Sequence, residues 1–358
     1  VSLGFFFYLD QNFMAAVNSI FRSLSEFIDQ LSAIHRMLPW LLAFGMLLPL
    51  PQILAAVFND YYVYLANRIC IFILLSVGLN IVKGFCGQVT VGHVGLYAIG
   101  AVSAALISLH LGWSFWIAFP IGILVAGLAG VVVGLPSVRL EGAYLALATL
   151  GLGESVRIMI AVTPAFGSST GLLSIPPPTI GSFTFDSFEK YYYLVMPAAM
   201  IGIYMSFSIL RSATGRAFMA VREDTIAAAV HGINVVKRKL LAFVISALYA
   251  GAAGGLFAHM PPGYIHHNNF TIIEMVTLLM MIVLGGIGHI WGGIIGAIVV
   301  TVIYDQTLEF YFYQPLLFGL SMVLIVMFMP RGIGGLIDRY LVTRKFIAIQ
   351  EEKADAAS

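Results

Sequence analysis

Charge is the scarcest property of this chain. Only 10% of its 358 residues are Asp, Glu, Lys or Arg, and 60% are hydrophobic. Average soluble proteins contain about 25% charged residues. Residues 84–138 contain no Asp, Glu, Lys or Arg at all. A soluble protein of this size could not bury so much apolar surface, so the composition excludes a soluble domain and predicts a membrane protein.

The motifs of several enzyme classes are also absent from the sequence. It has no phosphate-binding GxxxxGK[ST] motif, no HExxH motif and no evident Ser/His/Asp or Cys/His arrangement. Nothing therefore predicts an enzyme, and no ATP site or other cofactor is expected on this chain. The net charge of +1 gives no indication of nucleic-acid binding.

Cysteine is rare as well. The two cysteines, Cys70 and Cys86, fall in or beside apolar segments, where they are expected as small buried residues rather than as a disulfide. No Cys/His cluster has the spacing of a zinc site, so no metal is expected. No A-x-A-like cleavage site follows a basic start and a short apolar core, and no cleavable signal peptide is expected.

The apolar residues form segments of membrane-spanning length. A transmembrane helix needs roughly 20 consecutive apolar residues, whereas barrel strands alternate in polarity over about ten residues. The sequence therefore predicts an all-α polytopic membrane protein with eight to ten transmembrane helices, several of them broken by Gly or Pro. The apolar segments lie near residues 38–58, 62–83, 88–110, 114–135, 142–162, 191–211, 240–259, 272–286, 288–304 and 314–330.

These segments divide the chain into three parts. Residues 1–37 are modestly amphipathic and predict an N-terminal segment that lies at the membrane surface. Residues 38–337 form the predicted transmembrane domain, and residues 338–358 form a predicted cytoplasmic tail.

Basic residues predict the orientation of the chain. Lys and Arg occur in loops at Lys83, Arg139 and residues 211–239, and again between residues 331 and 345. Residues 161–189 contain no Lys or Arg and are rich in Gly, Ser and Pro. Because basic loops face the cytoplasm, both termini are expected inside, and residues 161–189 are expected outside as a loop with little regular structure.

Two ten-residue stretches resemble each other. Residues 92–101 read GHVGLYAIGA and residues 288–297 read GHIWGGIIGA, with five identical positions. Each stretch follows a glycine-containing break, at Gly84–Gly87 and at Gly285–Ile287. Interrupted hydrophobic segments at corresponding places in two halves are typical of a transport pathway built from a two-fold internal repeat. The alternative is that Gly-rich helices resemble each other by low complexity.

Three polar residues in the apolar segments are candidates for the pathway. A charge within the membrane costs roughly 2.5–3.5 kcal/mol on insertion scales, so an ionisable residue there is a functional hypothesis. Two interpretations of His93 and His289 are open: they line the pathway, or they are neutral residues that form hydrogen bonds between helices. The same two alternatives apply to Gln88.

Four charged residues in or near the apolar segments have simpler interpretations. Glu154 and Arg157 are three residues apart and are predicted to pair on one helix face. Arg68 and Glu274 are expected near helix ends, where long side chains reach the membrane interface.

One loop concentrates charge between two apolar segments. Residues 215–241 read GRAFMAVREDTIAAAVHGINVVKRKLL. Residues at helical spacing predict a helix with one apolar face, from which the charges at residues 222–224 point away. The face is formed by Phe218, Val221, Thr225 and Ala229. The mixed charge and the small Ala-Ala-Ala surface suit a protein groove rather than lipid.

This loop resembles the cytoplasmic loop of LivM-type permeases of branched-chain amino-acid ABC importers. The resemblance extends from about residue 65 to residue 336 and includes four further blocks in the same order. These blocks are GLNIVKGFCGQVTVGHVGLYAIGA, RLEGAYLALATLG, NNFTIIEMVTLLMMIVLGGIGHIWGGIIGA and MPRGIGGL.

The resemblance implies that residues 215–239 carry a coupling helix that seats in an ATPase subunit. Such helices contain EAA-x3-G, whereas here Ile226 stands in place of the Glu and Gly232 keeps the spacing. Glu223 or Asp224 is therefore the candidate for the missing contact. The predicted coupling residues are Arg222, Glu223, Asp224, Ala227, Ala228 and Gly232.

The resemblance also implies a pathway between the glycine-broken helices. The sequence departs from the family at His289, where a small residue is expected, and at His267 and Asn268. The predicted pathway residues are Gln88, Gly92, His93, Gly95, Gly285, Gly286, Gly288 and His289.

The implied function is that of a permease subunit in the bacterial inner membrane, which works by alternating access. Its implied partners are a second homologous permease, two cytoplasmic ATPases that bind the ATP, and a periplasmic binding protein. The expected cargo is a branched-chain or similar hydrophobic amino acid, and urea, a short amide or an aromatic acid are the alternatives. A stand-alone secondary transporter or channel would not need the coupling loop, and a membrane-embedded enzyme lacks a supporting constellation.

Overall fold

The computed structural model describes residues 44–57, 59–307, 312–328 and 332–333. The predicted N-terminal segment 1–37, the predicted tail 338–358 and most of the MPRGIGGL block lie outside the described residues. The chain divides into two units, residues 1–57 and 58–358. The first unit contains helix α1 (Leu50–Val57).

The second unit is built from helices. They are α2 (Asp60–Asn80), α3 (His93–His110), α4 (Phe115–Gly134), α5 (Gly142–Val162), α6 (Phe188–Arg211), α7 (Ala213–Glu223), α8 (Thr225–Val230), α9 (Val235–His259), α10 (Ile272–Gly285), α11 (Ile290–Thr307) and α12 (Gln314–Phe328). A two-stranded hairpin pairs β1 (Thr179–Ile180) with β2 (Phe183–Thr184) in an antiparallel ladder. Residues 161–189 thus have little regular structure, as the Pro and Gly content predicts.

Seven helices in the described residues are long and apolar enough to cross a membrane. They include α2, which a π-helical turn extends to Phe85, and α4, which a 3-10 turn extends to Val138. The predicted count of eight to ten is higher. The segments at 272–286 and 314–330 form helices of only 14 and 15 residues, and the described part of segment 38–58 gives no span of sufficient length. At 1.5 Å per residue such a helix covers about 21–23 Å, less than the roughly 30 Å hydrocarbon core.

Three helices form the centre of the bundle. The most apolar stretches of α2, α3 and α9 are 83%, 67% and 61% buried, against 22% for α5. α9 packs against α2, α3 and α4. Close packing depends on small residues, since a Cβ on Gly100 would lie only 2.5 Å from the Gly251 Cα.

The bundle has two distinct ends. The loop end carries residues 212–234, the C-terminal end of α2 and the N-terminal end of α11, which contact one another. The hairpin end carries the β-hairpin and residues 260–271, where Leu172 and Ile265 form a bridge between the two loops. At the hairpin end, the Trp116 Nε1 also donates to the Thr179 carbonyl at 2.8 Å.

Candidate functional site

The predicted coupling helix is divided into two short helices, α7 and α8. The break falls at Asp224, whose Oδ1 accepts hydrogen bonds from the backbone N–H groups of Ile226 at 2.7 Å and Ala227 at 3.0 Å. The prediction of one continuous helix is therefore wrong, because an Asp side chain satisfies the first N–H groups of a new helix. Phe218 and Val221 are buried as predicted, but Ala228 is buried in place of Ala229.

The exposed tip of this loop, formed by α8, is apolar. Ile226 and Val230 are 77% and 80% exposed and lie four residues apart, so they share one face of α8. Glu223 and Ala227 are also exposed, whereas Ala228 is 4% exposed. All the predicted coupling residues except Ala228 are thus exposed, namely Arg222, Glu223, Asp224, Ala227 and Gly232. The sequence analysis did not include the large apolar residues of this tip, Ile226 and Val230, among the coupling residues. Their exposure follows from the break at Asp224.

Gly232 ends α8. Its φ of +81° is in the left-handed region, which glycine adopts without strain. The Gly232 N–H donates to the Ala229 carbonyl and the Ile233 N–H to the Ala228 carbonyl, both at 3.0 Å. This is a Schellman motif, so Gly232 fixes the direction in which the chain leaves the helix.

A glycine junction, formed by Asn80, Gly84 and Gly288, lies at the loop end. A Cβ on Gly84 would lie 2.6 Å from the Gly288 N, so the two glycine-broken segments touch through their backbones. Asn80 connects them further, because its Oδ1 accepts from the Gly288 N–H at 3.0 Å and its Nδ2 donates to the His289 carbonyl at 2.7 Å. Sequence reasoning missed Asn80, since it lies within an otherwise apolar helix.

Arg222 connects the loop to this junction. Its Nη1 donates to the Gly84 carbonyl at 2.6 Å. A Cβ on Gly288 would lie 2.5 Å from the same Nη1, and a Cβ on Gly87 would lie 3.0 Å from the Arg222 Cγ. Its guanidinium therefore contacts both glycine-broken segments, and the predicted coupling role of Arg222 stays a prediction.

The first predicted pathway segment leaves the helical conformation between Cys86 and Gly92. Gly92 and Gly95 face α5, where a Cβ on Gly92 would overlap the Thr149 carbonyl oxygen and a Cβ on Gly95 would lie 2.7 Å from the Gly153 Cα. His93 is 2% exposed, and its Nδ1 lies 3.2 Å from the Ser246 Oγ on α9. Gln88 is 7% exposed, and its Nε2 donates to the Cys86 carbonyl at 3.3 Å.

The second predicted pathway segment leaves the helix at residues 286–289. Gly286 and Gly288 have φ angles of +107° and +87°, so glycine is needed at both positions. Gly285 packs against α11, where a Cβ would overlap the Gly292 carbonyl oxygen. His289 is only half-buried, unlike His93, so the two Gly-His pairs have different surroundings. Whether these eight residues line a pathway stays a prediction.

A cavity of about 260 Å³ lies nearer the hairpin end, within the bundle. We call it the Arg68–Glu274 cavity after its two charged residues. Its described lining contains none of the eight predicted pathway residues. It is lined by Tyr64, Arg68, Ile71, Phe72, Tyr97, Phe257, Asn268, Asn269, Glu274 and Tyr304.

Glu274 lies in the first turn of α10, at a helix end as expected, whereas Arg68 lies inside α2. Arg68 is the ninth residue of α2, about 12 Å from the start of the helix at 1.5 Å per residue. Its Cζ lies 5.4 Å from the ring centre of Phe72 and 5.9 Å from that of Tyr64. Both charged side chains face the cavity, because helices far apart in sequence bring them together there.

Two other charged contacts have structural roles. Glu154 and Arg157 form the predicted ion pair on α5. At the loop end, the Lys239 Nζ donates to the Glu141 Oε1 at 2.7 Å, and this bond holds the pKa of the Glu141 carboxyl below its usual value. Among the described residues, no group of three or more His, Cys, Asp or Glu side chains could hold a metal ion.

Comparisons with known proteins identify the family. A family model described as the permease component of branched-chain amino acid transport systems matches residues 61–329. The chain is 36% identical over 293 residues to the high-affinity branched-chain amino acid transport permease LivM of Escherichia coli, which covers 75% of this chain and 69% of that protein. LivM of Salmonella typhimurium gives the same values.

A more distant relative is the permease LivH of Salmonella typhimurium, which is 27% identical over 286 residues, or 73% of this chain and 90% of that protein. No solved structure gives a significant match to this chain. The family model covers more than half of the chain, and the spanning helices agree with a multi-pass membrane protein. The chain therefore belongs to the family of permease components of branched-chain amino acid transport systems.

Proposed function

We propose that this chain is one of two permease subunits of an ABC importer, which carries branched-chain amino acids across the bacterial inner membrane by alternating access. The E. coli and Salmonella relatives bear the names of branched-chain amino acid permeases, which supports this cargo over urea or short amides. The basic loops predict that the loop end faces the cytoplasm. Both termini would then lie inside.

The observation that carries the proposal is the contact between Arg222 and the glycine junction. Arg222 belongs to α7, which leads directly into the exposed tip of α8. Its guanidinium reaches the Gly84 carbonyl and the backbone of Gly288. A movement of the tip would therefore be transmitted to both broken segments, at the place where an inward-facing pathway must open and close.

The tip suits a groove in a cytoplasmic ATPase subunit. Ile226 and Val230 offer an apolar knob, and Glu223 offers a carboxylate beside it. ATP would then be bound by the partner subunits rather than by this chain. On the membrane side, Leu124, Leu128 and Val132 form an exposed apolar face of α4 that suits lipid or the second permease.

The test is reconstitution of this chain with its neighbouring permease, ATPase and binding-protein subunits in vesicles. We expect leucine, isoleucine and valine to enter only when ATP is present on the side of the loop end. Ile226→Cys should cross-link to the ATPase subunit, whereas Ser182→Cys in the hairpin should not. Uptake by this chain without ATPase subunits would overturn the proposal in favour of a secondary transporter.

A further inference from the structure

The Arg68–Glu274 cavity is not explained by coupling at the loop end. Ion pairs of 4.0 Å or less among the described residues involve Arg157, Lys190 and Lys239, and neither Arg68 nor Glu274 belongs to one. Both side chains line the same cavity. Ionisable side chains held inside a membrane protein are expensive and usually functional. A ligand that carries one negative and one positive group could therefore pair with both Arg68 and Glu274 in this cavity.

We propose that this cavity is a recognition site for a zwitterionic α-amino acid with an apolar side chain. The proposal rests on the proposed function and assigns residues to it. Arg68 would bind the carboxylate of the ligand, and Glu274 would bind its ammonium group. The aromatic walls would hold the side chain.

The chemistry of Arg68 fits a carboxylate. The planar guanidinium lies over aromatic rings, with its Cζ 5.4 Å from the Phe72 ring centre and 5.9 Å from the Tyr304 ring centre. Its N–H donors lie in the plane of the group, so its edge can bind the two oxygens of a carboxylate together. Lysine could not make this paired contact.

The remaining lining fits a small apolar side chain. Ile71, Phe72 and Phe257 contribute apolar surface, and the volume of about 260 Å³ is below the roughly 300–1,000 Å³ of sites for drug-sized ligands. Urea or a neutral amide would leave both charges without a partner. The cavity therefore discriminates between the cargoes that the sequence left open.

The cavity has an accessible rim. Asn268 lies in the 3-10 turn His267–Phe270, is exposed, and lines the cavity. Its backbone N–H donates to the His266 Nδ1 at 3.2 Å, a bond that a change of the Asn268 side chain leaves in place. Asn268 is thus a suitable position for a reporter that a bound ligand would cover.

The experiment measures how fast a neutral methanethiosulfonate modifies Asn268→Cys in the assembled importer without its binding protein. Leucine at about ten times its Kd should slow modification roughly tenfold, because occupancy follows 1 + [L]/Kd. Arg68→Gln and Glu274→Gln should each weaken leucine binding roughly tenfold or more. The unsubstituted chain, with Cys70 and Cys86, gives the background rate, and Ser182→Cys should be modified at the same rate with or without leucine.

The matched charge controls are Lys190→Gln and Asp186→Asn. This exposed pair, with Nζ and Oδ1 2.7 Å apart, carries the same two charges outside the cavity. Both controls should keep full protection by leucine. As a measurement that needs no cysteine, leucine should raise the melting temperature of the unsubstituted complex, whereas isocaproate and isoamylamine, each lacking one charge, should not.

Three results would overturn the assignment: no protection by leucine together with no thermal shift, equal protection in the Arg68→Gln and Glu274→Gln variants, or equal protection by urea. Uptake of leucine by the complete importer, measured in parallel, separates the two proposals. Uptake without protection rejects the cavity alone, whereas absence of ATP-driven leucine uptake in the unsubstituted importer rejects the proposed function.

Discussion

At the loop end, backbones of glycine-containing segments touch one another, and a single arginine side chain lies against them. Nearer the hairpin end, two charged side chains and several aromatic rings surround an open cavity. At the loop end the packed backbones leave no room for a side chain on these glycines, so an added methyl group must displace a neighbouring atom. The second region has space, so a substitution changes which ligand fits rather than how the helices pack. Substitutions in the two regions should therefore have different effects on transport.

Gly84→Ala should have the largest effect. A Cβ at this position would lie 2.6 Å from the Gly288 N and would overlap the Asn80 Oδ1. Overpacking of this kind costs about 1–3 kcal/mol, and here it separates the two broken segments. We expect a lower melting temperature of the solubilised complex and loss of leucine uptake.

The matched control for Gly84→Ala is Gly151→Ala on α5. No atom lies within 4 Å of a Cβ there, and Ala is the better helix former. Unchanged uptake and melting temperature are expected for this variant. Equal behaviour of the two variants would contradict the account of the glycine junction.

Arg222→Gln should have the next largest effect. It removes the bond to the Gly84 carbonyl, and a bond from a charged donor contributes about 1.5–3 kcal/mol, equivalent to roughly 10- to 100-fold. We expect more ATP hydrolysed per leucine imported, with unchanged protection of Asn268→Cys by leucine. Arg216→Gln on the same helix is the control, since the Arg216 Nη1 donates to the nearby Arg211 carbonyl at 3.1 Å. A normal ratio of ATP to leucine in Arg222→Gln would show that Arg222 does not couple the loop to the pathway.

Gly232→Val tests whether the direction of the loop matters. The φ of +81° costs a β-branched residue about 1–2 kcal/mol, although no atom lies within 4 Å of an added Cβ. Coupled uptake should fall several-fold. Gly232→Asn is the informative comparison, because Asn tolerates this conformation and should retain most of the activity. Equal loss in both variants would point to a requirement for small size at the contact with the ATPase.

Glu141→Gln should have the smallest effect, and that effect should depend on pH. The Lys239 contact lowers the pKa of Glu141 from its ordinary value of 4.5, so the stabilisation is complete above that value and is lost as the pH falls through the lowered pKa. Because the Glu141 side chain is 70% exposed, its contribution is below about 1 kcal/mol. The melting temperatures of the variant and the unsubstituted protein should differ slightly at pH 7 and converge in acid. A difference that widened in acid would contradict this assignment.

Glycine positions were the most predictable part of the site. Gly286, Gly288 and Gly232 have positive φ angles, and each had been singled out from the breaks or the spacing in the sequence. The reason is local, since a turn with positive φ selects glycine wherever it occurs. The break at Asp224 was equally local, and the capping ability of Asp before Thr225 was the signal that the helical periodicity concealed.

The partners of long side chains were not predictable. His93 and His289 occupy the same position in the two similar stretches, yet one is 2% exposed and the other is half-buried at the loop end. Arg222 looked like part of an outward charged patch, and its bond to Gly84 joins residues of different helices. Sequence spacing within one helix cannot give such distances, because they depend on how separate helices pack.

The sequence by itself determined that this protein is a bundle of membrane helices, with breaks at two glycine-rich places and an exposed loop between α6 and α9. Hydrophobic runs and glycine act locally, so their consequences can be read along the chain. Only the tertiary structure decided that Asn80 and Arg222 meet at both breaks and that Arg68 and Glu274 face one cavity. These groups come from helices distant in sequence, and packing of the central helices is what brings their charges and hydrogen-bonding atoms within reach of one another.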